Sequence, residues 1–193
     1  MFDIIEQYNG YIIRKTVPET GKKWYLKCIK NGEYIWTSDY TYARYMTLKT
    51  ARNHRIKLCL ADENFLPVVF INCRNHPFCD AILYGFKKYE TRTKNTLRLL
   101  VGKTCLFCET GNGKIKTRFY ARIDSVVRVD SKEEFEKYRN DCDILPGSEF
   151  DWNEKTTVKY LYHLSDVVGE DEYKIEIPSE LRHGRTWAEK WYW

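Results

Sequence analysis

Hydrophobic and polar positions change their period along this chain, and the changes mark its elements. Tyr11–Thr16, Lys23–Lys30 and Tyr34–Ser38 are short runs rich in β-branched and aromatic side chains, the composition of strands with one covered face. Thr20-Gly21 and Asn31-Gly32 separate them, and Asn31-Gly32 is the kind of pair that closes a two-residue hairpin. From Thr47 to Leu60 the spacing becomes helical: Leu48, Ala51, Arg55 and Leu58 fall roughly on one side, with Thr47 at the capping position. Ala61 to Leu66, an Asp-Glu-Asn cluster followed by Pro67, reads as a boundary. The chain is therefore expected to hold a β-meander-plus-helix module over residues 1–62 and a second domain over residues 66–193.

The second domain opens with Val68–Asn72, an unbroken apolar run suited to a central position in a barrel sheet. Pro77 then stands at a first helical position, Phe78, Ala81, Ile82 and Leu83 cover one helix face, and Gly85 supplies the left-handed residue that stops the helix. Phe86 to Arg92 must leave in a new direction as an extended segment. Alternation there puts Lys88, Glu90 and Arg92 on one face and Lys87, Tyr89 and Thr91 on the other. Further on, Lys103–Glu109 alternates as a strand, Gly111-Asn112-Gly113 turns, and Lys114–Val129 is a long strand expected to bend. Ser131 with Glu134 makes a capping box for a helix over Ser131–Asn140. After a Pro146-Gly147 loop, Thr157–Val168 and Tyr173–Ile177 return to strand, and His183-Gly184-Arg185 leads into an aromatic tail. This order gives an α+β domain, and closure into a barrel would remove its sheet edges.

Composition adds a polarity to this outline. Of 193 residues 43% are hydrophobic, enough for an ordinary core, so disorder is excluded. Charge is segregated: residues 67–128 carry a net +8 and residues 129–193 a net −7, within a chain of net +5. A basic middle third containing the Pro77–Arg92 stretch fits a polyanionic partner, with aromatics at 16% of the chain to supply stacking faces. The helix at Thr47–Leu60 also carries Lys49, Arg52, Arg55 and Lys57 around His54, which reads foremost as a solvated face. No apolar run approaches the ~18 residues that cross a bilayer, and Asp3 and Glu6 interrupt any leader-like start. A soluble protein with no membrane contact is expected. Seven Cys, an odd number without an export signal, point to reduced thiols and a cytoplasmic location.

Cys73, His76 and Cys79 lie at two-residue gaps, and Cys105 and Cys108 form a second close pair. Such soft ligands can hold zinc. Cys105 and Cys108, three apart in a strand, point to opposite faces, so the thiols are read as buried structural groups and neither a metal nor another cofactor is assigned. A nucleophilic pairing of Cys79 with His76 has no motif around it.

The pattern Gly85-x-Lys87-x-x-Glu90-x-Arg92, following a short amphipathic helix and preceding Gly102-Lys103, resembles the signature of the ASCH domain, a branch of the PUA-like β-barrels. The likeness continues through the basic strand after Gly-Asn-Gly, the GSEFDW and KYLYHLSDV segments and the closing RHGRTWAE, covering roughly Leu66 to Trp193. The first 62 residues are similar only to small modules of bacteria and their phages, a likeness that brings no activity. The ASCH resemblance implies a PUA-like barrel whose charged cleft handles RNA or another nucleic acid through an unpaired or modified nucleobase. Lys87, Lys88, Arg92, His183 and Arg185 would then bind, Glu90 would hold them in register, and Tyr84 or Trp187 would offer a stacking face. A competing structural reading has Arg185 in a simple ion pair with Glu90. An enzymatic alternative, a ribonuclease or nucleoside-directed hydrolase, would make Lys87 and Glu90 catalytic. The amidohydrolase branch of the family carries Thr where Glu90 stands, which removes its nucleophile and argues against deacetylation here. A third reading is a protein–protein adaptor that docks through the acidic last third and the first module.

Overall fold

Asn31 and Gly32 both take positive φ, 52° and 84°, and the chain reverses between β3 (Lys23–Lys30) and β4 (Glu33–Thr37). That backbone matches the twist of antiparallel strands. The computed structural model describes residues 2–62, 66–113, 115–169 and 187–188, and it divides the chain into two compact units at Phe65–Leu66. In the first, the hairpin belongs to a four-stranded antiparallel sheet ordered β1-β2-β3-β4, with β1 at Phe2–Gln7 and β2 at Gly10–Thr16. β1 is absent from the sequence reading because Asp3 and Glu6 break its apolar run. Asp3 stands opposite Arg14 of β2 and pairs with it at 3.0 Å, so the charge has a partner on the sheet.

Helix α1 (Leu48–Ala61) begins where Thr47 Oγ1 accepts from Thr50 N at 3.2 Å and packs over β1 and β2. Phe2, Ile13, Leu26, Ala51 and Leu58 are buried in this unit. Two members of the expected cationic face serve the fold instead. His54 Nδ1 shares a hydrogen bond of 3.1 Å with the Tyr34 hydroxyl, and Arg55 Nε donates to Phe2 O at 2.8 Å.

Among its described residues the second unit has six strands: β5 (Val68–Asn72), β6 (Tyr89–Arg92), β7 (Thr104–Thr110), β8 (Lys116–Val129), β9 (Lys159–Gly169) and β10 (Trp187–Ala188). Their order is β10-β5-β7-β8-β9-β6, with β5 and β7 parallel and the other neighbours antiparallel. β5 is thus second from one end rather than central, yet Val68 through Ile71 are all buried. Curling accounts for this. Arg92 at the far end of the order donates from Nη2 to Phe70 O of β5 at 2.7 Å, which draws the two ends of the sheet toward each other as a half-barrel. β8 bends as expected, through register shifts between Tyr120 and Arg122 and between Ile123 and Ser125.

Among the described residues, two short α-helices flank this sheet. α2 (Phe78–Leu83) lies where expected, and α3 is confined to Lys132–Glu136, shorter than its ten-residue expectation. Ser131 Oγ accepts from Glu134 N at 3.1 Å, so the cap forms, but beyond Glu136 the chain continues in turns through Asp143. Those turns bury Cys142 and Ile144 against Val129, Phe135 and Leu161. Elsewhere in the core Phe107 stacks on Phe119 at 4.9 Å and 11°. The expected strand Tyr173–Ile177 lies outside the described residues. Among those described, no helix is long and apolar enough to cross a membrane.

Candidate functional site

The segment leaving α2 is fixed by main-chain bonds at each step. Tyr84 N donates to Asp80 O and Gly85 N to Ile82 O, Gly85 takes φ 79°, and Lys87 N returns to Ala81 O at 3.0 Å. Lys88 N and Tyr89 N then both donate to Asp141 O, at 2.7 and 3.2 Å, Lys88 O accepts from Leu164 N of β9 at 2.9 Å, and the residue-by-residue register of β6 with β9 runs from Tyr89. Strand alternation therefore starts two residues later than Lys87. This corrects the expected facing: Lys87 does not lie opposite Glu90 and Arg92 but joins them around one hollow, while Lys88 points out and pairs with Asp141 at 2.8 Å.

The hollow has a cavity volume of about 180 Å³. Besides Lys87, Glu90 and Arg92 it is lined by Asn72, Phe78, Phe150, Asp151 and Lys159, among others. Lys87 is 3% exposed; its Nζ donates to Cys142 O at 2.7 Å and lies 4.8 Å from the Phe78 ring centroid. Lys159, also 3% exposed, repeats the arrangement, with Nζ 2.5 Å from Phe150 O and 4.8 Å from the Phe135 ring. Burial pushes both ammonium groups below the ordinary lysine value, opposed by Glu90 for Lys87 and by Asp151 for Lys159.

Glu90 is buried, and its Oε1 lies 2.9 Å from Arg92 Nε. That contact is ionic rather than an aligned hydrogen bond, since Arg92 Nε has no hydrogen-bond partner among the described residues. Asp151 is held on the other side. Burial raises its pKa, but bonds from Gly147 N at 2.7 Å and Arg139 Nη2 at 2.8 Å outweigh this and keep it below the ordinary carboxylate value. The hollow thus presents two buried cations, an Arg–Glu pair and an anchored carboxylate, with Phe78 and Phe150 as apolar walls.

Of the residues named from sequence, Lys87, Glu90 and Arg92 converge. Tyr84 is 76% exposed beyond the end of α2 and is not part of the lining. His183 and Arg185 lie outside the described residues, and Trp187 is described by its backbone, which pairs with Val69. Glu90 has Arg92 as its ion-pair partner. Lys159, Asp151, Phe150 and Asn72 fall in segments that the sequence reading marked, but it gave none of them a place in the site. Lys159 had a usable signal: it shares strand parity with Leu161, which is fully buried, so a lysine was bound for the covered face.

No protein-family model and no curated protein matches the chain. Among solved structures it is similar to ASCH from Zymomonas mobilis, at 19% identity over 60% of this chain and 78% of that one with a TM-score of 0.49. Two single-residue variants of that protein also match at 19% identity. One covers 60% of this chain and 80% of its own with a TM-score of 0.49, the other 65% and 87% with a TM-score of 0.51. At this identity the likeness speaks to fold, and it agrees with the curled sheet and the short helices that flank it. Over the 65% of the chain covered by the likeness with a TM-score of 0.51, the fold is that of an ASCH domain, α+β with a curled sheet and few helices.

Proposed function

We propose that the hollow recognises a nucleobase presented by a single strand of RNA or other nucleic acid. The observation that carries this reading is the convergence of two buried lysines and a buried carboxylate on one small cavity. Charged groups are rarely taken out of water without a partner, and placing two cations beside an anion in a lined hollow suits an occupant with acceptors and donors on one edge. Lys87 and Lys159 would donate to ring nitrogens or carbonyl oxygens, and Glu90 would accept from an exocyclic amine. At about 180 Å³ the cavity falls below the roughly 300–1,000 Å³ of sites for drug-sized ligands, so it suits a base more than a whole nucleotide. The basic surroundings of residues 67–128 would hold the strand that carries the base.

Fluorescence anisotropy of labelled single-stranded RNA with the full chain tests this. Lys159→Met and Glu90→Gln should each weaken binding by about tenfold or more, the loss of one charged hydrogen bond. Equal affinities across wild type and both variants would remove the hollow from the binding surface. A second reading, hydrolysis of RNA or of a modified nucleoside, is favoured by one feature: a buried amine, its pKa lowered from the ordinary lysine value by desolvation, shares the hollow with the carboxylate of Glu90. Cleavage of the same RNA that disappears in Glu90→Gln supports hydrolysis; binding without cleavage supports recognition alone.

A further inference from the structure

Three elements meet at a point the nucleobase reading does not use. Cys73 follows β5 and is held by Cys73 N donating to Thr110 O at 2.8 Å; Cys79 lies in the first turn of α2; Glu109 is on β7, opposite Ile71 of β5. The two sulfurs are 3.5 Å apart, and one ligand atom from each of the three side chains lies within 4.8 Å of the others. His76, which the spacing also offered, is turned away into a ring cluster with Phe78 and Phe150.

We propose that Cys73, Cys79 and Glu109 bind a divalent cation of the zinc class, with water as the fourth ligand. Tetrahedral zinc with bonds of about 2.3 Å to sulfur sets its thiolates roughly 3.8 Å apart. The observed 3.5 Å needs a few tenths of an ångström of opening, whereas a disulfide needs the sulfurs to close to about 2.0 Å. Two thiolates with one carboxylate form a donor set that favours zinc over calcium or magnesium, which prefer oxygen alone.

Glu109 is held only loosely, by one long ion pair and one side-chain hydrogen bond. Arg118 Nε stands 3.6 Å from its Oε2, too far for a hydrogen bond, while Asn112 Nδ2 donates to Oε1 at 3.2 Å and orients the group. Three ligand anions exceed a divalent cation by one, and the Arg118 guanidinium lies beside them, shared with the half-exposed Asp80, so the cluster keeps one net negative charge at the edge of the fold. Cys73 and Cys79 are both buried, so the ion would tie α2 to the β5–β7 pair. That would steady Phe78 and, through Ala81 O, the backbone of Lys87.

The test uses the full chain, stripped with chelator under reductant and titrated with Co²⁺. One Co²⁺ per chain should bind, with a thiolate-to-metal charge-transfer band and the visible bands of a tetrahedral site. Zn²⁺ should displace it, raise the Tm and protect Cys73 and Cys79 from alkylation. Cys73→Ser and Glu109→Gln should each weaken uptake by about tenfold or more, while Cys28→Ser, a half-exposed thiol elsewhere, should leave it unchanged. The charge-transfer band is read on the wild type and does not depend on any variant folding. Absence of the band, a band and an affinity left unchanged by Cys73→Ser, or a Cys73–Cys79 disulfide with no metal uptake by the reduced chain would overturn the proposal.

Discussion

Lys87 and Lys159 each carry an ammonium group into a place nearly without water, and each meets a backbone carbonyl and the face of a phenylalanine. Neither has a salt-bridge partner at short range among the described residues, so the folded state favours the neutral amine more than the unfolded chain does. With the folded pKa depressed, the native state binds fewer protons than the unfolded one between the lowered value and the ordinary lysine value of 10.5. Stability gained through Lys87 therefore rises with pH across that window. Tyr34, Tyr89 and Tyr162, raised by burial, act with the opposite sign at alkaline pH but are common to wild type and variant. In urea denaturation, Lys87→Met is expected to match or exceed the wild type near neutral pH, and the wild type should gain on it as pH rises toward 10.5. A difference between the two chains that stays flat with pH would mean that Lys87 keeps its ordinary pKa in the fold.

Among elements, the α2–Gly85–β6 succession directs the site. Gly85 holds φ 79°, and a Cβ placed there would meet no atom within 4 Å, so a side chain is disfavoured by its own backbone alone. Gly85→Ala should cost about 1–2 kcal/mol in urea denaturation and Gly85→Asn less. A larger loss would mean that the turn is packed more tightly than its open surroundings indicate. This element was legible in the sequence because its determinants are local: apolar spacing for the helix, Gly for the stop, alternation for the strand beyond it. Where alternation begins was not legible. Asp141 O captures Lys88 N and Tyr89 N from more than fifty residues away, and that long-range bond decides that Lys87 faces the hollow. The same limit applies to α3, whose cap was readable from Ser131 and Glu134 but whose end is set by turns that bury Cys142 and Ile144. β1 was missed for a related reason, since Asp3 reads as an interruption until Arg14 is seen beside it.

At the scale of the molecule, each unit has its own sheet and its own buried side chains, and every described residue of the hollow belongs to the second. A fragment starting at Leu66 is expected to unfold in one cooperative transition and to bind the RNA probe with the affinity and salt slope of the full chain. Loss of binding in a folded fragment would give the first unit a share in the site. The strand segments of this unit could be read one by one, but not their order, because β5 lies parallel to β7 and β6 crosses to the far end of the sheet. Arg92 is where those two facts meet. A guanidinium has five N–H groups in a rigid fork, and here Nη2 is engaged by Phe70 O while Nε faces Glu90. So long as that arm clasps the opposite edge, one Nη2 hydrogen is spent on Phe70 O and the guanidinium cannot offer a guest all five of its N–H groups. An occupant that demanded the full fork would have to unlatch the barrel to obtain it.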